Sequence, residues 1–135
     1  MKLKFSAPAT VLDENAEGAT VMDSARLSLL HGATSNECFS DYMIDDPFAG
    51  SLPAKGVSGG YLRFRFRADL NELWAETEYD LREPLDDAEI KNLREYTTGH
   101  WSDGIGECFS QEQADQTGLL ANILPDKDQI VVEIT

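Results

Sequence analysis

The sharpest pattern in the chain is the alternation between Tyr61 and Leu81. Leu62, Phe64, Phe66 and Ala68 alternate with Tyr61, Arg63, Arg65 and Arg67, the two-residue period of a half-buried strand. After Asp69-Leu70-Asn71-Glu72 the alternation resumes. Leu73, Ala75, Thr77, Tyr79 and Leu81 take one face, and Trp74, Glu76, Glu78 and Asp80 take the other. A hairpin with that four-residue loop sets Ala68 opposite Leu73, Phe66 opposite Ala75 and Phe64 opposite Thr77. The same register sets Arg65 opposite Glu76 and Arg63 opposite Glu78, so apolar and charged faces both match.

Shorter signals flank the hairpin. Lys2 to Phe5 reads as a strand with Leu3 and Phe5 inward, and Gln129 to Thr135 as another, with Ile130, Val132 and Ile134 on one face. Residues 13–19 read as a loop. A helix is expected next, with Thr20 as N-cap, Asp23 completing a capping box, Met22, Ala25, Leu29 and Leu30 on one face, and Gly32 as its stop. Residues 33–60, broken by Pro47, Gly50, Pro53, Gly56, Gly59 and Gly60, are the least regular stretch, with Cys38 to Met43 read as a helical turn. Pro84-Leu85-Asp86-Asp87-Ala88-Glu89 starts a second helix, with Asp86 as N-cap, Glu89 at N3, and Ile90, Leu93 and Tyr96 or Thr97 inward. Gly99 is expected to end that helix, and Glu107 to Ser110 to form a short strand. These elements predict an α+β fold: one antiparallel sheet of about four or five strands with two helices packed on one face.

With 135 residues the chain is expected to form a single globular domain over residues 1–135. Net charge changes the picture more. At −14 the chain is strongly acidic, with a net of −2 over residues 1–70 and −12 over residues 71–135. Nucleic acid and anionic membranes bind through Lys and Arg, so direct contact with either is disfavoured. A basic protein partner, or mimicry of nucleic acid, fits the charge, while a merely solubilising surface is the plain alternative. No apolar stretch reaches the roughly 20 residues of a membrane span, and the first residues lack a signal-peptide pattern. A cytoplasmic location is therefore expected, with Cys38 and Cys108 as reduced thiols.

Candidate chemistry concentrates between Tyr96 and Gln111, where Gly99, Gly104 and Gly106 enclose His100, Trp101, Ser102, Asp103, Glu107 and Cys108. The glycines predict a sharply turning loop, with Gly99 and one of Gly104 or Gly106 left-handed and Asp103 accepting backbone N–H groups. From Pro84 to Gln111 the chain resembles a pattern in small uncharacterised bacterial and mobile-element proteins. The matching positions are Pro84, Leu85, Glu89, Tyr96, Gly99, Ser102, Asp103, Gly104, Gly106, Glu107, Phe109 and Gln111. His100 and Ser110 depart from it, where the pattern has Gln and Glu. The resemblance implies a shared helix–turn–strand unit and carries no activity.

His100, Asp103 and Cys108 are the ingredients of a thiol nucleophile, yet Cys108 also suits a buried strand position. His100, Asp103 and Glu107 fall short of calcium-loop or zinc spacing, so no metal or cofactor is expected. Gly104-x-Gly106 follows a helix, whereas a dinucleotide fingerprint follows a strand, and that reading is rejected. On the hairpin's polar face, Tyr61, Trp74 and three arginines beside Glu76, Glu78 and Asp80 form either a solvated surface of weak ion pairs or a recognition face. The reading adopted is a non-catalytic acidic binding protein of the inhibitor, immunity or nucleic-acid-mimic kind, capping a basic partner. Its candidate binding residues are His100, Trp101, Asp103, Glu107, Trp74, Glu76 and Glu78. The rival is a small enzyme or ligand-binding domain with its site at the 99–108 loop.

Overall fold

A computed structural model describes residues 1–13, 20–21, 23–35, 56–117 and 123–135. Among them run β1 (Lys2–Asp13), β2 (Thr20–Val21), α1 (Ser24–Leu29), β3 (Ser58–Arg67), β4 (Glu72–Asp80), α2 (Asp87–Cys108), α3 (Gln111–Thr117), β5 (Ile123–Pro125) and β6 (Val131–Ile134). The fold is α+β. β1 lies at the centre of an antiparallel sheet, with β4 and then β3 on one side and β5 and β6 sharing its other side. The two-residue β2 pairs the far end of β1.

The first strand runs well past Phe5, through Pro8. Lys2 and Thr135 exchange both backbone hydrogen bonds, at 2.8 and 2.9 Å, so the even-numbered residues of β1 face β6. Pro8 is even and has no N–H to offer on that side. The ladder with β6 ends before it, and the edge chain swings out through residues 126–130 between β5 and β6. The Asp126 N–H still reaches the Pro8 carbonyl, at 2.8 Å, and the Asp126 carboxylate accepts from the Asp128 N–H and from Gln129 Nε2, at 3.0 and 2.8 Å. On the sheet's opposite edge, residues 32–35 supply backbone partners to Leu62 and Phe64, and His31 Nδ1 accepts from the Phe66 N–H at 3.0 Å.

The hairpin forms with the expected faces and a register displaced by two residues. Phe66 pairs Leu73, Phe64 pairs Ala75, Leu62 pairs Thr77 and Arg63 pairs Glu76. The loop comprises residues 68–71, one position earlier than expected, because Asn71 adopts the left-handed conformation at φ 53° and Glu72 already belongs to β4. A two-residue displacement preserves which side chains face inward. Leu3, Phe5 and Ala7 of β1, Leu62 and Phe64 of β3, and Leu73, Ala75, Thr77 and Tyr79 of β4 are all buried on one face.

Three expectations about helices need correction. Thr20 lies in β2; Asp23 caps α1, its carboxylate accepting from the Arg26 N–H at 2.9 Å, and Leu27 and Leu30 are the buried residues. Gly32 follows with φ 82°, as a helix stop requires. Second, Asp86 and Glu89 do form a reciprocal capping box, at 2.8 and 3.0 Å, but α2 does not end at Gly99. It continues through Gly99, Gly104 and Gly106 to Cys108, and none of these three glycines has positive φ. Third, Glu107 to Ser110 forms no strand. The helix–turn–strand unit implied by the resemblance is thus a long helix followed by the short α3. Cys38 to Met43 and residues 14–19 lie outside the described residues.

The continuity of α2 follows from burial. Leu93, Thr97, Trp101, Ile105 and Cys108 recur at helical spacing and are all buried against the sheet. Each interior glycine disfavours a helix by about 1 kcal/mol relative to alanine, while burying one large apolar side chain gains about 1.5–3 kcal/mol. The stripe outweighs the glycines.

Candidate functional site

The seven candidate residues do not form one site. Trp101 is 0% exposed and sits in the core, where its Nε1–H donates to Thr77 Oγ1 at 2.8 Å. Beside it, Thr97 Oγ1 donates to the Leu93 carbonyl at 2.6 Å, so the Tyr79 hydroxyl must be the donor in the 2.7 Å contact between Tyr79 and Thr97. These bonds join α2 to β4 through a fully satisfied buried polar set. Cys108 is a buried thiol with Sγ 3.7 Å from the Leu62 carbonyl, in the position of a small core residue. Phe109, just past the helix, stacks on Phe64 with ring centroids 5.1 Å apart.

His100, Asp103 and Glu107 point elsewhere. His100 is half-buried, its ring tilted against Tyr96 at 4.7 Å, and its Nδ1 lies 3.8 Å from Asp103 Oδ2. Asp103 and Glu107 are exposed on the helix surface. Asp103 is therefore not the backbone-bonded centre of a turn, since there is no turn. The 99–108 segment is a structural helix, and His100 and Cys108 lie on different sides of it, one half-exposed and one in the core. Among the described residues no three His, Cys, Asp or Glu side chains gather as metal ligands would.

Trp74, Glu76 and Glu78 occupy the opposite face of the sheet, which no described helix covers. Lys2, Lys4 and Ser6 of β1 share that face by parity, with Tyr61, Arg63, Arg65 and Arg67 of β3, and Val131 and Glu133 of β6. Lys4 and Glu76 stand at its middle, their side chains only 23% and 13% exposed and 3.9 Å apart. Lys4 also reaches Glu133 at 3.3 Å, Arg65 reaches Glu76 diagonally at 3.8 Å, and Lys2 pairs Glu78 at 3.2 Å. Trp74 donates through Nε1 to Glu72 at 3.0 Å and lies under the Arg67 guanidinium, 5.1 Å from the ring centroid. Tyr61 is 44% exposed.

Two depressions flank the Lys4–Glu76 pair. One, of about 250 Å³, is lined by Arg65, Arg67, Trp74 and Glu133; the other, of about 170 Å³, by Tyr61, Arg63, Glu78 and Asp80. Cations Lys2, Lys4, Arg63, Arg65 and Arg67 match carboxylates Glu72, Glu76, Glu78, Asp80 and Glu133 in number, so this face is charge-balanced. β1 brings Lys2 and Lys4 among Glu76, Glu78 and Asp80, so these carboxylates do not form an acidic patch of their own. Sequence reasoning missed Lys4 and Glu133 as members of the face. The signal for Lys4 was present, since an inward Leu3 and Phe5 turn Lys2 and Lys4 outward.

Neither a protein-family model, nor a curated protein, nor a solved structure matches this chain. No helix among the described residues is long and apolar enough to cross a membrane.

Proposed function

We propose that this chain is a non-catalytic binding protein that receives a basic protein partner on the polar face of its sheet. One observation carries the reading: the half-buried Lys4–Glu76 pair centred on a face that no described helix covers and ringed by Trp74, Tyr61 and three arginines. Isolated surface ion pairs contribute little, about 0–1 kcal/mol. Here the charged groups are held on four adjoining strands, β6, β1, β4 and β3, so little side-chain freedom is lost when a partner seats on them. Tyr, Trp and Arg are the residues that anchor interfaces, and the two depressions are sized for single side chains. The face offers both signs of charge, which sets orientation. The net −14 of the whole chain attracts a basic partner at long range. An inhibitor or an immunity-type protein would use such a surface.

The reading is tested by affinity capture from the native host, followed by titration of the captured protein. Trp74→Ser should weaken binding by about tenfold or more, as removal of an interface anchor does. Asp103→Asn and Glu107→Gln should each change it by less than about twofold, because they lie across the sheet. Affinity should also fall as salt rises, since exposed charges are screened over about 10 Å at 0.1 M. Binding that survives Trp74→Ser and is lost with Glu107→Gln moves the interface to the helix.

A further inference from the structure

The acidic half of the chain contains a basic depression. Residues 71–135 hold only four cations, Arg82, Lys91, Arg94 and Lys127, against sixteen carboxylates. Three of those four line one depression of about 300 Å³, together with Glu95, Thr98 and Ile130. The helical repeat places Lys91, Arg94 and Thr98 on one side of α2, and the 126–130 turn brings Lys127 to the same depression. Arg94 is half-buried and Ile130 supplies an apolar wall that packs against the core.

Among the described residues these three cations lack the close ion pairs that the sheet-face cations have. On the sheet face Lys2, Lys4, Arg65 and Arg67 each have a carboxylate within 4.0 Å. Among the described residues, Lys91, Arg94 and Lys127 have none. Glu95, four residues after Lys91, forms no ion pair with it, and the Asp126 carboxylate is engaged in its own turn. The Thr98 hydroxyl donates to the Arg94 carbonyl at 2.9 Å, so toward the depression it can only accept. Every strong donor there is a cation.

We propose that this depression binds a small phosphate-bearing molecule. A forked guanidinium beside two ammonium groups is the donor set that a phosphate dianion takes, and the volume lies at the small end of ligand sites. Ile130 would contact the carbon part of an ester. A long polyanion would be repelled by the −12 carried in this half of the chain, whereas a compact dianion fits inside this basic spot. The inference is independent of the sheet-face reading, because α2 packs on the other side of the sheet.

The test is a ¹⁵N NMR titration of the full chain at constant ionic strength, using glycerol 3-phosphate, inorganic phosphate and acetate as probes. Saturable shifts are expected at the amides of residues 91–98 and 127–130, with both phosphates binding more tightly than acetate. Tighter binding of the ester identifies an organic phosphate as the source, and equal binding identifies the free anion; either supports the site. Arg94→Gln should weaken binding by roughly tenfold or more, as loss of a charge-assisted pair does. Lys4→Gln, on the sheet face, should leave binding unchanged. If Arg94→Gln fails to fold, the double variant Lys91→Gln/Lys127→Gln replaces it, since exposed lysines contribute little to stability. Shifts that do not saturate, that scatter over all the cationic residues, or that survive these substitutions would overturn the proposal.

Discussion

Replacing Gly99 and Gly106 by alanine tests the long helix, because a helix and a turn predict opposite signs. Both glycines lie inside the 22-residue α2, both are exposed, and a Cβ added at either meets nothing within 4 Å. The change therefore adds no packing and no clash. What remains is the backbone freedom that glycine retains in the unfolded chain, worth about 0.8–1.0 kcal/mol in a helix interior. Gly99, in the middle of the helix, should gain nearly all of it. Gly106, in the last turn, should gain about half, because helix ends fray. The double variant should thus be more stable by about 1.5 kcal/mol, or roughly 5 °C in melting temperature for a chain of this size. Gly59→Ala supplies the contrast: its φ is +87° and its Cβ would sit 3.0 Å from the Glu78 carbonyl, so it should lose about 1–3 kcal/mol. Urea unfolding and thermal melts followed by circular dichroism measure all three. A loss of about 1–2 kcal/mol at Gly99, the penalty of a left-handed residue, would refute the continuous helix.

Three further substitutions probe the sheet and its contact with the helix. The reciprocal bonds between Lys2 and Thr135 turn the Glu133 N–H toward β1 and the Val132 N–H away from it. Glu133→Pro should therefore cost about 1–3 kcal/mol more than Val132→Pro in urea unfolding, and equal costs would refute the register. Trp101→Phe removes the N–H that Thr77 accepts and leaves a gap in the core. It should cost about 2–4 kcal/mol, whereas a loss under about 1 kcal/mol would mean that Trp101 is not buried.

Much of the sheet was legible because a period of two survives small errors of register. The alternations at 61–68 and 73–81 determined which side chains face inward, yet they say nothing about a two-residue slip. Only the left-handed Asn71 decides that the loop closes at residue 71 rather than 72. The Asp86–Glu89 capping box was legible for a local reason, since both partners lie within one turn. The expected strand stops at Phe5, whereas β1 runs on through Pro8, whose absent N–H falls where the neighbouring chain has already turned away. The glycines of α2 misled for a different reason. Local propensity favoured a turn, while the stripe Leu93, Thr97, Trp101, Ile105 and Cys108 continued through them and buried Trp101. The candidate site divided accordingly. Trp74, Glu76 and Glu78 were placed by strand parity and share one face, whereas His100, Trp101, Asp103 and Glu107 were grouped as a loop that does not exist. The basic depression was illegible, because Lys127 comes to Lys91 and Arg94 only through tertiary structure.

The most direct test of the sheet-face account is site-specific photo-crosslinking in the native host. A photoreactive phenylalanine analogue is placed at Tyr61 on the open face and, in a separate chain, at Glu107 on the outer surface of α2. The account predicts one discrete crosslinked protein of basic composition from position 61, diminished when Trp74→Ser is added, and no such product from position 107. A product from position 107 with none from position 61 would contradict it.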